Sequence, residues 1–436
     1  MNVTPQDKLF ICGYILENFH IAKGEDRLTL KPSNVLSVDY INDYDMHICS
    51  ILKVVVRLDL RQKLYILQNK RDIRVHMELL QRDGDIEIET WTSSPKIVFN
   101  CEFACYFSDD DENLDLDLLA ARIKQNESGV ATKYDLNEEN LLESENDMEF
   151  YLFDAKLLAA SRYVYNKVFQ ETTLNNIIGQ MLTESNHRKV VMSKIENPTV
   201  YKELIIPPMP VFKALIYLDE KFGLYEKGAT IFYDLDTCYI LNLKDEVTAW
   251  RPGEWKYTNF MIPPLDSSIP GDGMRKIPDQ DQFFCSATDL EVRHQRSGSL
   301  GNASRGADMK IVSVDKNVLD ILQSDSEYIE SKNQSIMHIK SENIYAKSVI
   351  KARQEENEGI VYISAAQLDI SAFAPNKLYR LIYEDPTKAK KYNSNLYRLA
   401  YTNHSIRLAS EEYADSSHHI VLKKVRSQES STSENE

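Results

Sequence analysis

Apolar and polar side chains alternate along several short segments of this chain, which is the pattern of half-buried β-strands. In IRVHMEL (73–79) every second residue is apolar. The segments ILKVVVRLD (51–59) and KIVFNCEFACYF (96–107) are rich in β-branched and aromatic residues, which also favour strands. The alternation therefore predicts a mainly β protein of the α+β class, in which a few helices are inserted between strands.

Local signals place the first helix and the first hairpin. Asp59 stands where an N-cap would begin a helix over residues 60–70. The sequence Arg82-Asp83-Gly84-Asp85 has turn composition and predicts a hairpin in which residues 86–92 return antiparallel to 73–79.

A second region begins near Met148 and is predicted to mix helices and strands. Residues 172–182 place five apolar side chains on one helical face, so this helix packs on a core. Residues 189–194 and 199–206 are predicted strands.

Residues 205–242 predict a helix with both ends marked, followed by a tyrosine-bearing hairpin. Pro207 and Pro208 are expected to end the preceding strand, and Pro210 suits the first helical position. Gly223 is expected to end the helix. Two strands then flank a turn at residues 234–237 (DLDT).

The C-terminal part predicts a helix and a second group of strands. Residues 263–307 are rich in Pro, Gly, Ser and charge and are interpreted as long loops with one or two strands. A helix is predicted over residues 342–356 with Ser341 as its cap. The strands that follow are predicted at 360–370, 376–384, 395–408 and 418–425, and the polar residues 426–436 form a solvated tail.

Composition limits the class of protein. A length of 436 residues suggests two to four domains. A net charge of −16 argues against wrapping a nucleic-acid backbone, although it fits either ordinary solubility or a conduit to which DNA does not stick. The six cysteines form no paired CxxC units and are expected to be reduced. No signal peptide or stable membrane insertion is predicted.

Sequence motifs of known chemistry are missing, so no catalytic, cofactor-binding or metal-binding residues are assigned. The chain has no HExxH, GxSxG or Walker sequence. GSLGNASRG (298–306) lacks the ending and the flanking elements of a phosphate-binding loop. The acidic stretch at residues 109–112 lacks the spacing of an EF-hand and is interpreted as a solvated loop.

Three further residue pairs have a chemical and a structural interpretation. Asp234 and Asp236 are either a carboxylate pair or, as is much commoner, turn residues that bond their own backbone. The adjacent His418 and His419 point to opposite faces of a strand, which disfavours a shared metal. Cys101 and Cys105 share one face but lie too far apart to chelate one ion, so buried thiols are expected.

The order of elements resembles the baseplate hub proteins of contractile-tailed bacteriophages of the T-even type. The resemblance rests first on residues 341–425, where Pro375 opens a strand, 385–395 form a polar turn and a strand returns from Leu396. The helix and hairpin of 205–242 resemble the unit found midway in such hubs. Residues 51–92 resemble the tail-tube-type barrel that hubs share with tube subunits, and the resemblance covers about three quarters of the chain.

The resemblance implies a non-enzymatic, structural role in the virion. Each chain would contribute two tail-tube-type β-barrel domains with inserted α/β elements, and three chains would form a homotrimeric ring. The ring would join a hexameric tail tube, or a tube-initiating ring, to the trimeric central spike, with baseplate wedge and tape measure proteins as further partners. DNA would pass through the lumen without sequence-specific binding, and the particle would be assembled in the host cytoplasm. No cofactor is implied.

The resemblance also gives expected domain boundaries along the chain. The expected units are a first barrel (1–107), an acidic insertion (108–147), an α/β domain (148–206), a helix-hairpin unit (207–262), a loop-rich insertion (263–340), a second barrel (341–425) and a tail (426–436).

Two other functions remain open at this stage. A tail-associated cell-wall hydrolase would need two carboxylates at a fixed separation, and the assigned barrels leave no region for such a domain. A host-receptor or carbohydrate-binding tail-tip module would suit the 24 tyrosines and the long loops. The tyrosines are equally compatible with ordinary strand positions.

Overall fold

The structure is a computed structural model, and its strands and helices agree with the predicted mainly β, α+β class. It describes residues 10–44, 49–70, 72–85, 90–91, 95–107, 147–226, 228–243, 256–262, 273–277, 282–286, 291–295, 359–408 and 415–425. The predicted helix at 342–356, the acidic residues 109–112, the segment 298–306 and the tail 426–436 lie outside these ranges.

Sixteen strands of the described residues form one continuous sheet, and they come from the two ends of the chain. The N-terminal group comprises β1 (Phe10–Lys23), β2 (Asp26–Thr29), β3 (Val35–Asp43), β4 (Ile51–Arg57), β5 (Arg74–Asp85), β6 (Thr90–Trp91), β7 (Lys96–Phe107) and β8 (Asp147–Asp154). The C-terminal group comprises β14 (Tyr257–Ile262), β15 (Gly273–Ile277), β16 (Gln282–Ser286), β17 (Glu291–Gln295), β18 (Ile360–Ala366), β19 (Leu378–Tyr383), β20 (Leu396–Arg407) and β21 (Asp415–Val425).

The strand order shows how the two groups are connected. It runs β17-β18-β21-β20-β19-β14-β16-β15-β1-β5-β7-β8-β4-β3, and β20 pairs in addition with β3. The sheet therefore passes from one group to the other at two places. A single hydrophobic core contains side chains of both groups, from Tyr14 near one end of the chain to Leu422 near the other.

An α/β unit separates the two groups in sequence and has a core of its own. It contains α2 (Ala155–Arg162), β9 (Val164–Thr173), α3 (Leu174–Glu184), β10 (Lys189–Met192), β11 (Val200–Pro210), α4 (Val211–Phe222), β12 (Ala229–Asp234) and β13 (Thr237–Asn242). β10, β13 and β12 form one small sheet, and β11 and β9 form an antiparallel ribbon. The apolar face predicted for α3 is fully buried in this core.

The helix α4 is placed as its proline and glycine predict. Pro210 occupies the N-cap, one position before the predicted one, and Gly223 is the C-cap with φ at +71°. Glycine adopts this backbone conformation without the steric cost of a Cβ. The stripe of Val211, Phe212 and Leu215 is buried, so the marked ends fix which face of the helix meets the core.

The first helix is also confirmed. α1 (Leu60–Gln68) begins at Asp59, whose side chain accepts a hydrogen bond from the Gln62 amide at 2.8 Å. The Gln62 side chain accepts in return from the Asp59 amide at 3.0 Å, which completes a capping box.

Two local predictions are wrong because strand pairing overrides turn composition. Residues 82–85 do not turn but continue β5, where Arg82 lies opposite Gly13 and Asp83 opposite Cys12 of β1. Likewise, Pro207 and Pro208 do not end β11, which shifts its register between Ile206 and Met209. Proline is tolerated at such a bulge because the ladder is already interrupted there.

Two C-terminal segments are more ordered than their composition indicates. The polar segment 385–395 contains a short helix, α5 (Pro386–Tyr392), rather than a simple turn. Asp385 caps it by accepting from the Thr387 and Lys388 amides at 2.8 and 3.1 Å. The interval 263–307 contains three strands, β15 to β17, where one or two were expected.

The packing of α4 gives a first prediction. Leu215 is fully buried, so Leu215→Ala should lower the free energy of unfolding by about 2–5 kcal/mol through lost transfer energy and the cavity left behind. Lys221→Ala changes an exposed position of the same helix and should change stability by less than about 0.5 kcal/mol. Urea denaturation of the two variants measures the difference, and equal effects would contradict this packing.

Candidate functional site

The candidate functional site of this structure is the junction where the two strand groups meet, because it fixes their relative position. β20 pairs with β21 along one edge and with β3 along the other. Seven residue pairs join β20 to β3, from Tyr401 opposite Asp43 to Arg407 opposite Ser37. Backbone bonds from Tyr44 to Ala400 (3.0 Å) and from Leu408 to Leu36 (3.1 Å) extend the contact.

A second junction is formed by hydrogen bonds between β1 and residues 367–370, the segment that follows β18. The Cys12 amide donates to the Gln367 carbonyl at 3.3 Å. The buried Tyr14 hydroxyl donates to the Leu368 carbonyl at 2.6 Å and accepts from the Ile370 amide at 3.0 Å. Burial raises the pKa of Tyr14 well above its ordinary value, so the hydroxyl stays protonated and can make both bonds.

A polar cluster lies beside Tyr14 and brings three possible metal ligands close together. Ligand atoms of Cys12, Asp83 and Asp369 lie within 4.8 Å of one another. Lys96 forms an ion pair with Asp83 at 2.6 Å, and the Ser371 amide donates to Asp369 at 2.8 Å. These contacts already supply positive charge and hydrogen bonds to the carboxylates, so the cluster is explained as a polar network within the junction.

The charges of this cluster affect Lys96. Burial alone would lower the pKa of its ammonium group, but the hydrogen bond and the charge of Asp83 raise the pKa overall. Gln81 donates to the Cys12 thiol at 3.3 Å and to Asp83 at 3.2 Å. The predicted turn residue Asp83 is therefore a contact of the junction.

Two buried histidines lie in the β3–β20 junction. His404 is opposite Tyr40 of β3, and its Nδ1 lies 2.7 Å from Nδ1 of His418. The Leu368 amide donates to Nε2 of His418 at 3.1 Å. Nε2 of His418 must therefore carry the lone pair, so its Nδ1 carries the proton and donates to His404. His404 is then protonated on Nε2, and both rings are neutral.

Burial keeps both rings uncharged. It lowers the pKa of His404 to about 3, against the opposing charge of Asp369. Burial and the neighbouring His404 and His419 lower the pKa of His418 far below its usual range. His419 faces the other way, as predicted for adjacent strand residues, and its Nδ1 lies 3.0 Å from the Ser364 hydroxyl.

A third contact joins the α/β unit to the N-terminal group. The turn from β12 to β13 lies at the predicted position. The Tyr40 hydroxyl donates to Asp234, whose pKa is raised to about 6 by burial despite this hydrogen bond. Asp236 instead pairs with Lys189 at 2.5 Å. The two carboxylates therefore have separate partners, and the docking role of Asp234 was not evident from the sequence.

The same contact borders a partly open cavity of about 30 Å³. Its lining combines apolar side chains with a few polar ones: Cys49, Ser50, Phe153, Asp154, Leu157, Leu158, Ser161, Phe212, Tyr233 and Leu235. The Ser50 amide donates to the Tyr233 carbonyl at 2.8 Å, and its hydroxyl accepts from the Leu235 amide at 3.0 Å. A space of this size holds one or two waters rather than a substrate.

The ribbon of β9 and β11 has an exposed apolar face. Val168 and Ile205 lie directly opposite each other and are 53% and 52% exposed, and Val164 is 61% exposed. Contiguous exposed apolar side chains of this kind are typical of contact surfaces. The sequence predicted the β11 strand but gave no sign that its outer face is apolar and uncovered.

The cysteines behave mainly as packing residues. All six are free thiols. Cys105 is buried and Cys101 half-buried, and burial raises the pKa of Cys101 to about 11. Neither is activated as a nucleophile, because reactivity requires the thiolate.

The fold is thus that of a mainly β protein with two joined strand groups, and the sequence places it in a family. The profile of the family described as Bacteriophage PBS1 gene 109 protein matches residues 30–256, more than half of the 436 residues. The chain belongs to this family. A search of curated proteins finds no match.

Solved structures with a similar course of the chain were also found. The tail protein from Neisseria meningitidis MC58 is 10% identical with a TM-score of 0.42, and the alignment covers 94% of this chain and 96% of that one. The E. coli c3393 protein is described as a type VI secretion component with structural similarity to T4 bacteriophage tail proteins gp27 and gp5. It is 8% identical with a TM-score of 0.37, and the alignment covers 91% of the present chain and 74% of the E. coli protein.

A third similar structure is a chain of the half-lidded Francisella PdpA-VgrG complex, 9% identical with a TM-score of 0.39. The alignment covers 98% of the present chain but only 59% of the Francisella chain. The predicted resemblance is confirmed at the level of the family, which is a bacteriophage one. Within the described residues, no helix combines the length and the apolarity needed to span a membrane.

The Tyr14 contact gives a second prediction. Tyr14→Phe removes a hydroxyl that serves two buried backbone groups and should lower the free energy of unfolding by about 1–3 kcal/mol. Tyr65→Phe is the matched control, because the buried Tyr65 hydroxyl has no hydrogen-bond partner among the described residues. Removing the Tyr65 hydroxyl should leave the free energy of unfolding unchanged or raise it slightly. Chemical denaturation compares the two, and a neutral Tyr14→Phe would contradict the proposed junction contact.

The histidine pair gives a third prediction. The pKa values of His404 and His418 are lowered on folding, so the stability they contribute is present above pH ~6.5 and is lost as the pH falls toward 3. For each histidine that stays neutral in the folded chain, the unfolding free energy falls by up to about 1.4 kcal/mol per pH unit as the pH drops below ~6.5. Asp234 has a raised pKa in the folded chain, so its contribution to the unfolding free energy increases as the pH falls from about 6 toward 4.

The measurement is the unfolding free energy from pH 7 to 5 for the parent chain and two variants. His418→Gln should flatten the pH dependence, and His419→Gln, on the other face of β21, should leave it unchanged. An unchanged slope in His418→Gln would contradict the neutral pair.

Proposed function

We propose that this protein is a non-enzymatic hub subunit of a phage tail baseplate. Three copies would form a ring that adapts a hexameric tail tube to a trimeric central spike. The observation that carries the proposal is the joining of two strand groups, eight strands each, into one body through β20 and β3. Three such chains present six strand groups, which is the number that a six-fold tube requires.

The junction supports this role because it resists relative movement of the groups. A symmetry adapter has to keep both groups in fixed positions, and paired backbone strands with a shared core do so better than a linker would. The seven β3–β20 pairs are reinforced by the Tyr14 contacts of the second junction.

The charge supports a conduit. With a net charge of −16, three chains would surround the lumen with like charge, and DNA would pass without adhering. The partners proposed are the spike, the tube protein or a tube-initiating ring, and wedge and tape measure proteins. The proposed location is the baseplate of the virion, after assembly in the host cytoplasm.

Light scattering of the purified chain with negative-stain images of the same peak tests the proposal. The expected result is a mass of three chains of 50.3 kDa each and a ring with a central hole. A compact monomer at all concentrations that also turns over cell wall or binds glycan would overturn it in favour of a hydrolase or a receptor-binding module. A stable dimer would overturn the ring, because its symmetry does not fit three chains.

A further inference from the structure

Two histidines face each other across the outer surface of the N-terminal group. His20 of β1 lies directly opposite His76 of β5, and their rings stack with centroids 4.6 Å apart and an interplanar angle of 26°. Both side chains are half-buried. Their apolar neighbours Phe19 and Val75 point into the core, so the imidazoles are held on the opposite face of the sheet.

A carboxylate continues the same row on the next strand. Glu102 of β7 lies directly opposite His76 and is exposed. Residues opposite each other on neighbouring strands have Cβ atoms about 4.5–5.5 Å apart. His76 is therefore the central member of a three-strand row, with His20 on one neighbouring strand and Glu102 on the other.

The charges around the row are balanced. Arg27 and Arg74 both lie opposite Ala22 on one side of it, and Glu78 lies on the other side, where it accepts a hydrogen bond from Asn18 at 2.8 Å. Arg74 donates to the Ile73 carbonyl at 3.1 Å. The neighbouring arginines are therefore matched by the carboxylates of Glu78 and Glu102, and the row does not carry a net positive charge that would repel a cation.

We propose that His20, His76 and Glu102 form a surface site for a divalent transition metal of the zinc type. Two imidazoles and one carboxylate are a ligand set that Zn²⁺, Co²⁺ and Ni²⁺ accept, with water completing the coordination. Binding requires the Glu102 carboxylate to turn toward the two rings. A bound ion would cross-link β1, β5 and β7 on the face opposite the shared core.

The site differs from the buried cluster of Cys12, Asp83 and Asp369. In that cluster Lys96 and backbone amides already satisfy the carboxylates. In the row on the surface, the carboxylate of Glu102 makes no ion pair with any of the described residues.

The test is a titration of the full chain, free of any histidine tag, with Co²⁺ followed by absorption and with Zn²⁺ followed by calorimetry. One equivalent per chain is expected. His20→Gln and His76→Gln should each weaken binding by at least about tenfold, and Glu102→Gln should weaken it as well. His419→Gln is the matched control, since it changes an exposed strand histidine on β21 and should leave binding unchanged.

Circular dichroism checks that each variant is folded, and all four positions are at least partly exposed. Absence of saturable binding would overturn the site. Binding that persists in His20→Gln or His76→Gln, or that is unaffected by Glu102→Gln, would also overturn the assignment. The proposal does not depend on ring formation, because the three ligands lie within one chain.

Discussion

The pairing of β20 with β3 is the interaction on which the rest of this structure depends. These strands are separated by more than 350 residues, yet seven consecutive residue pairs join them. β20 can serve both groups because its register shifts between Leu399 and Tyr401. Beyond that bulge its second edge turns from β19 to β3. An edge that would otherwise be open is thereby covered.

Polar groups buried in the junction specify how the groups meet. In the native arrangement Tyr14 hydrogen-bonds to the backbone of Leu368 and Ile370. His418 hydrogen-bonds to His404 and to the Leu368 amide. Misplacing either would leave buried donors or acceptors without partners, which costs more than an apolar mismatch. The apolar core supplies most of the stability, and these contacts select one relative position of the two groups. The proposed hub function would need this property.

Local signals in the sequence predicted local structure well. Pro210 and Gly223 bounded α4, Asp59 capped α1, alternation found β5, and β-branched and aromatic composition found β7. Each of these signals acts between residues close together in the chain. The errors arose where pairing with a strand distant in sequence determines the local structure. Residues 82–85 have turn composition, but they extend β5 because they pair with β1.

The site was less predictable than the fold for the same reason. Nothing near Tyr14 in sequence indicates that its hydroxyl binds the backbone of residues 368 and 370. The turn of Asp234 was predicted, but its contact with Tyr40 depends on docking of the α/β unit. His418 and His419 were expected to face opposite ways, and they do, while the pairing with His404 required the register of β20 and β21.

Hydrogen–deuterium exchange of the purified chain tests most directly whether the two strand groups form one body. The account predicts that amides of residues 37–43 and 401–407 exchange together, as slowly as those of the central strands β5 and β21, because they open only when the whole body unfolds. Rapid exchange of both segments while β5 and β21 remain protected would contradict it, since the groups would then be independent units held by a linker.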